Sequence, residues 1–187
     1  MNAAAFWALG RGTGIVALVL FTVSIVLGIV ARSGRRVPFL GRFGTSDLHR
    51  TAALTGTGLV AAHVATLYFD PYAQLRLVDF VFPFLGAYKP LWLGLGTLAL
   101  DLLGVVTVVS LLRHRVGPRV FRTAHWATYA LWPVALLHAL GNGTNGGSTW
   151  FRALAVVCIS AVVTAVGWRL TPSYAHRGWA RHPRRTA

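Results

Sequence analysis

The sequence predicts an all-α membrane protein: a bundle of five transmembrane helices with its N-terminus outside and its C-terminus in the cytoplasm. Three observations support this fold class. Hydrophobic residues make up 55% of the 187 residues and charged residues only 12%, whereas soluble domains carry roughly 25% charged residues. Five apolar segments reach the length of about 20 residues that a helix needs to cross a bilayer core. The 18 Lys and Arg residues, against 4 acids, are spread unevenly along the chain.

The five predicted spans are separated by connections rich in Gly, Pro, Arg or Asn, which end helices. The spans cover residues 12–31, 48–69, 91–112, 123–141 and 150–169. The first span is expected to be retained, because no basic stretch and no A-x-A-type cleavage site mark it as a signal peptide. The half-apolar connection 70–90 is expected to lie in the outer interface or to dip slightly inward. The spans form one domain, residues 8–170, followed by a basic cytoplasmic tail, residues 171–187.

The basic residues predict the orientation of the bundle. Fourteen of the eighteen basic residues lie on one side: in the 32–50 connection, in the 113–122 connection, and from the last turn of the fifth span onwards. The other four lie on the opposite side: Arg11, Arg76, Lys89 and Arg152. Basic residues are enriched in cytoplasmic connections, so the richer side is predicted to be cytoplasmic and to contact anionic lipid. A nucleic-acid partner is not expected, because the apolar runs leave little room for a water-soluble basic face.

Four of the seven histidines lie in predicted spans. His49 and His63 are 14 residues apart on the second span, and His125 and His138 are 13 apart on the fourth. Both spans run outwards, so His49 and His125 share an inner level and His63 and His138 an outer level, about 20 Å away. Such paired levels predict two b-type haems held between the two helices. A lone histidine on an apolar helix is more often structural, but two matched pairs are hard to explain in that way.

Two details qualify the histidine pattern. Fourteen residues return to nearly the same helix face, whereas thirteen miss it by about 140°; we expect Pro133 to kink and rewind the fourth span. A zinc or copper site is disfavoured, because each level offers two histidines with no Cys, Asp or Glu nearby. The single cysteine, Cys158, lies in an apolar run and is expected in the core.

Together with the histidines, three stretches resemble the ferric reductase-like transmembrane domain. They are "RGTGIVALVLFTVSIVLGIVA", "YKPLWLGLGTLALDLLGVVTVVSLLRHRVG" and "FRTAHWATYALWPVALLHALGNGT". This family includes NADPH oxidases, ferric reductases and the haem subunit of the periplasmic methionine sulfoxide reductase system. The resemblance covers residues 8 to 170. It implies a multi-pass protein of the bacterial plasma membrane that transfers electrons through two haem b groups, the inner on His49 and His125 and the outer on His63 and His138.

The resemblance also implies partners. No G-x-G-x-x-G fingerprint follows a strand, so we expect the electrons to come from a separate flavoprotein or from a quinol. The exterior acceptor could be ferric iron, oxygen or a flavin protein. A bis-histidine iron has no free coordination position, which favours outer-sphere transfer. The chain is thus expected to act as an oxidoreductase component that needs a separate electron donor.

Five further residues are candidates for roles near the haems. Arg11 opens the first span; it would contact a propionate of the outer haem, as the resemblance implies, or anchor the helix at the interface. Arg50 and Arg122 lie beside the inner ligands and would pair with inner propionates or face lipid. Trp132 lies between the two levels and would assist tunnelling or simply pack. Asp101 lies within the third span, where a carboxyl is a functional candidate; it would be protonated and hydrogen-bonded between helices, or belong to a proton relay.

Two rival functions stay open. One is a quinol-linked dihaem cytochrome b. The other is a haemless proton-coupled transporter or assembly protein that uses its histidines and Asp101 for protons. The absorption spectrum of the purified protein separates the haem-binding class from the haemless class.

Overall fold

The computed structural model describes residues 3–34, 42–70, 73, 75–143, 145–172 and 174. All regular structure in these ranges is helical. In chain order the elements are α1 (Ala3–Ser33), α2 (Arg42–Tyr68), the 3₁₀ helix η1 (Leu77–Phe80), α3 (Pro90–Leu111), α4 (Arg113–Trp126), α5 (Thr128–Asn142) and α6 (Thr149–Arg169). The arginines predicted on the cytoplasmic side within 35–41 and 175–187, and most of the basic tail, lie outside the described residues.

Three helices of the described chain are long and apolar enough to cross a membrane: Ala4–Ser33, Pro90–Leu111 and Thr149–Arg169. They correspond to the first, third and fifth predicted spans. α2 has 27 residues, but its threonines, glycines and His63 lower its mean hydropathy. α5 has only 15 residues, fewer than the ~20 that a spanning helix needs. The chain is therefore helical at all five predicted places, and three of these helices have both the length and the composition of a span.

The fourth predicted span is two helices, and the break between them is not at Pro133. α4 ends at Trp126 and α5 begins at Thr128, so the interruption falls at Ala127. The main chain tightens there: the Ala127 N–H donates to the carbonyl of Ala124 at 3.0 Å, and the Ala130 N–H to that of Ala127 at 3.0 Å. A 3₁₀ turn advances about 120° per residue instead of about 100°. A turn of this kind reduces the offset of about 140° that a regular helix would leave between His125 and His138.

The helices pack as two pairs with a cleft between them. α1 packs along α2 and α3 packs along α5, while α1 also contacts α5 and α6. No comparable contact joins α2 to α3 or to α5 within the described residues. The main core lies between α1, α5 and α6, where six buried side chains pack together: Leu18, Trp132, Leu136, Ala155, Cys158 and Val162. Cys158 is a free thiol in this core, as predicted.

Candidate cofactor site

The cleft holds a cavity of about 280 Å³ at the end of the bundle that was predicted to face outwards. His63 of α2 and His138 of α5 both line it, and its wall is mostly apolar, with residues from α1, α2, α3 and α5. The outer pair of predicted histidines is therefore brought to one cavity by helices that do not pack on each other.

The ring nitrogen Nδ1 of each outer histidine is held by the main chain of a neighbouring helix. His63 Nδ1 lies 2.6 Å from the carbonyl oxygen of Gly10 in α1, and His138 Nδ1 lies 2.7 Å from that of Trp92 in α3. A carbonyl oxygen only accepts hydrogen bonds, so Nδ1 of each ring donates. In a neutral imidazole this leaves Nε2 with a free lone pair, the tautomer of a ring ready to bind a metal.

Glycines give the outer histidines the space they occupy. A Cβ atom built on Gly14 of α1 would lie 3.1 Å from His63 Nδ1, and one on Gly96 of α3 would lie 2.6 Å from His138 Nδ1. Any side chain at these two positions would push against the imidazole rings. The sequence shows the glycines in "RGTG" and "LGLG", but only the tertiary structure reveals which histidine each one faces.

The inner histidines lie at the opposite end of the bundle, also across the cleft. The ring centres of His49 and His125 are 6.0 Å apart, with an angle of 76° between the ring planes. His49 Nδ1 lies 2.8 Å from the carbonyl oxygen of Ser24 and 3.0 Å from its hydroxyl. A Cβ atom on Gly28 would lie 3.1 Å from the His49 ring. α1 therefore supports the inner histidine of α2 just as it supports the outer one.

His125 differs from the other three histidines. Its ring stacks on Phe121 at 5.3 Å between centres. Its Nδ1 atom is buried and has no hydrogen-bond partner among the described residues. A buried polar atom without a protein partner is rare in native proteins, and such an atom commonly binds a water, an ion or a ligand.

The outer end of the cavity carries polar groups. Arg11 lines the cavity, donates a hydrogen bond to Oδ1 of Asn145 and lies over the ring of Trp7 at 3.9 Å. Asn142 also lines the cavity, and its buried Oδ1 has no partner within the described chain. Arg11 thus lies where an anionic group in the cavity would meet it, while its aromatic contact is typical of an interfacial anchor.

Three of the other four candidates, Arg50, Arg122 and Trp132, lie away from this cavity. Arg50 and Arg122 are exposed, and Arg122 Nε donates to the carbonyl oxygen of Pro118 at 3.3 Å. Trp132 is buried in the core shared by α1, α5 and α6, where its indole N–H donates to the hydroxyl of Thr22 at 2.9 Å. This contact gives Trp132 a packing role between α5 and α1; a role in tunnelling stays a prediction.

Asp101 faces outwards. Its side chain is exposed on α3, and no hydrogen bond or ion pair to it is found in the described part of the chain. The expected hydrogen bond between helices of this chain is therefore not formed there.

The described residues 75–90 of the connection between α2 and α3 cover part of the outer end of the cavity, and the sequence alone did not single out Asp79 among them. Leu75, Asp79 and Phe80 line the cavity. The Thr97 hydroxyl donates to the carbonyl oxygen of Asp79 at 2.6 Å, and the Arg76 guanidinium bonds the Asp79 carboxylate at 3.0 Å. This hydrogen bond from Arg76 is the main cause that lowers the pKa of Asp79 below its ordinary value. The connection is therefore a folded cover rather than a loose loop.

The sequence did not single out Arg169 either, because there it is one of fourteen basic residues predicted on the cytoplasmic side. Its guanidinium lies 4.8 Å from the ring centre of Trp126 and 5.4 Å from that of Tyr129, and it donates a hydrogen bond to the Tyr129 hydroxyl. Trp126 and Tyr129 flank the break at Ala127. Arg169 thus ties the end of α6 to the turn that follows His125.

The histidines form pairs rather than larger clusters. Among the described residues, no three His, Cys, Asp or Glu side chains come together in a way that could hold a bare metal ion. In comparisons with known proteins, no family model, curated protein or solved structure matches the chain.

Proposed function

We propose that this protein is a membrane electron conduit that holds two b-type haems, the inner between His49 and His125 and the outer between His63 and His138. The observation that carries the proposal is the hydrogen bonding of the histidine rings. Three of the four have Nδ1 engaged at 3.0 Å or less by the main chain of α1 or α3. Each of these rings is left with Nε2 free to bind a metal.

The spacing and surroundings of the histidine pairs suit two imidazoles that bind one metal. A metal–imidazole bond is about 2 Å long, so two rings on opposite sides of one metal have centres on the order of 6 Å apart. The spacing of 6.0 Å between His49 and His125 agrees with this value. At the outer level the fit rests on the cavity, which both histidines line and whose walls are mostly apolar. Apolar walls suit a porphyrin, and Arg11 at the outer end suits its carboxylates.

The chain's own residues have three tasks in this function. The main-chain carbonyls hold the imidazole rings in one tautomer and one orientation. The glycines of α1 and α3 let those rings sit close to the neighbouring helices. The cover formed by η1 limits access of water to the outer cavity. When bound between these histidine pairs, haem b would supply one-electron transfer at its iron.

Membrane insertion belongs to the same proposal. Support comes from the three helices of spanning length and composition and from the excess of arginine at one end of the bundle. The exposed arginines of α4 would face the cytoplasm there: Arg113, Arg115, Arg119 and Arg122. An electron donor with an acidic docking surface would meet them, and its association would weaken as salt screens the charges.

The absorption spectrum tests the haem assignment. Protein purified in mild detergent from haem-replete cells is expected to show a low-spin b-type spectrum, with haem that acid acetone extracts. The double variant His49→Ala/His63→Ala should lose both components. The matched control is His114→Ala, which changes an exposed histidine on α4 and should keep the full haem content. A colourless wild-type preparation would refute the proposal and favour the haemless alternatives.

A further inference from the structure

Asp101 lies near the middle of an apolar helix and points away from the bundle. It is the twelfth of the 22 residues of α3, which runs from Pro90 to Leu111, about 16 Å from the start of the helix. None of the other three Asp residues of the chain, Asp47, Asp70 and Asp79, lies in the middle of a helix of spanning length. Since α3 would cross the bilayer in the proposed function, this exposed carboxyl would lie in the hydrocarbon.

A carboxyl at that depth needs a partner. Ionisable side chains within membranes nearly always face protein or a water-filled cavity, because an unpaired charge in hydrocarbon is costly. The described residues of this chain supply no hydrogen bond or ion pair to Asp101. The described part of the chain therefore leaves this carboxyl open to a group from another helix.

The surface beside Asp101 is shaped for a second helix. Gly104, Val105 and Val108 are exposed on the same side of α3, with Val105 and Val108 each 55% exposed. A Cβ atom built on Gly104 would meet nothing within 4 Å. Small residues let transmembrane helices approach closely, and polar groups beside them form interhelical hydrogen bonds.

A second copy of this chain does not offer a matching charge. No Lys or Arg occurs between Arg11 and Arg32, between Lys89 and Arg113, or between Arg152 and Arg169. The histidines of α2 and α5 and His125 of α4 lie in the cleft, where three of these four have Nδ1 bonded to the main chain of this chain. No basic side chain of a second copy therefore reaches the depth of Asp101.

We propose that the Asp101 face of α3, formed by Asp101, Gly104, Val105 and Val108, binds a transmembrane helix of a different protein that carries a lysine or arginine at mid-membrane depth. The carboxylate pairs with that cation, and Gly104 lets the two backbones come close. The inference rests on the membrane insertion contained in the proposed function but not on the haems.

The test uses a synthetic transmembrane peptide as the partner. The protein carries a fluorescent donor on Gly147→Cys in a Cys158→Ala background and is reconstituted into phosphatidylcholine vesicles. An acceptor-labelled polyleucine peptide with one central lysine is compared with the same peptide without lysine. The lysine peptide is expected to associate about tenfold more strongly. Asp101→Asn should abolish the difference, and Gly104→Leu should weaken the association.

A matched control separates the Asp101 face from helix surfaces in general. Gly167 of α6 is also exposed with nothing within 4 Å of an added Cβ, so Gly167→Leu should leave peptide binding unchanged. Equal binding of both peptides would overturn the proposal. A second result would also overturn it: energy transfer between donor-labelled and acceptor-labelled copies of the protein, if Asp101→Asn abolishes this transfer. That result would identify a second copy as the occupant. If alkaline carbonate extracts the protein from the vesicles, the protein is not inserted in the membrane. That result would overturn the proposed membrane insertion and this inference with it.

Discussion

His49 and His125 face each other across the inner end of the bundle, with ring centres 6.0 Å apart and ring planes 76° apart. The two residues come from helices that do not pack extensively on one another, and the chain between them includes all of α3. His63 and His138 share the outer cavity in the same manner. This pairing by depth leads to predictions that spectroscopy and labelling can check.

The first prediction concerns which histidines serve the same haem. If the protein holds two haems as proposed, His63→Ala and His138→Ala should each remove the outer component, because an iron bound by two imidazoles needs both of them to stay low-spin. His49→Ala and His125→Ala should remove the inner component instead. A redox titration of each variant measures both components. The pairing is wrong if His63→Ala and His125→Ala remove the same one.

The second prediction concerns the glycine that faces the outer ring. Gly14→Leu should displace His63, because a Cβ at this position would already lie 3.1 Å from its Nδ1. We expect haem retention at the outer site to fall about tenfold, as is usual when the support of a metal ligand is disturbed. Gly12→Leu is the control, since a Cβ there would meet nothing within 4 Å. Equal losses in both variants would show that the helix, rather than the ring, is disturbed.

The third prediction concerns Arg169 as a positioning residue for the inner level. Arg169→Gln removes the guanidinium that lies over Trp126 and Tyr129. The turn after His125 should loosen, shifting the midpoint potential of the inner component while leaving the outer one unchanged. Arg152→Gln, at the other end of α6, should shift neither. A change in both components, measured by redox titration, would argue against a local role.

The fourth prediction concerns the orientation of the chain. Cysteines introduced at Gly147 and at Arg115, both exposed, should react with impermeant maleimide from opposite sides of the membrane. The end rich in arginine should be cytoplasmic. The buried Cys158 is replaced by alanine to lower the background. Labelling of both positions from one side would refute the proposed arrangement.

The fifth prediction concerns the pH dependence of the outer cover. Arg76 lowers the pKa of Asp79 below its ordinary value, chiefly through its side-chain hydrogen bond. The folded carboxyl binds its proton less tightly than the unfolded one, so this contact stabilises the cover above about pH 4 and is lost as the pH falls through the lowered pKa. Hydrogen exchange of the Arg76 amide, which donates to Asp79 Oδ2 at 2.9 Å, should report the loss after correction for intrinsic rates. Asp79→Asn should lack this pH dependence; if it behaves like wild type, the contact does not hold the cover.

Much of this protein could be predicted from its sequence. Apolar length places a helix at each of the five predicted spans, because a run of about 20 apolar residues has few other stable forms in a bilayer. The spacing of 14 in α2 also places His49 and His63 on nearly the same helix face, since the rise and turn of a helix are regular. Helix position and depth depend on residues near one another in the chain, which is why the sequence determined them.

The tertiary structure decided what surrounds those residues. Whether a histidine has a free Nε2 depends on a carbonyl oxygen 25 to 53 positions away along the chain, and no local pattern encodes such a partner. The break lies at Ala127, six residues before Pro133, and no breaker residue in the sequence marks it. Asp101 looked like a group held between helices, yet it faces outwards, because the direction of a side chain on an apolar helix is set by which neighbours pack against it.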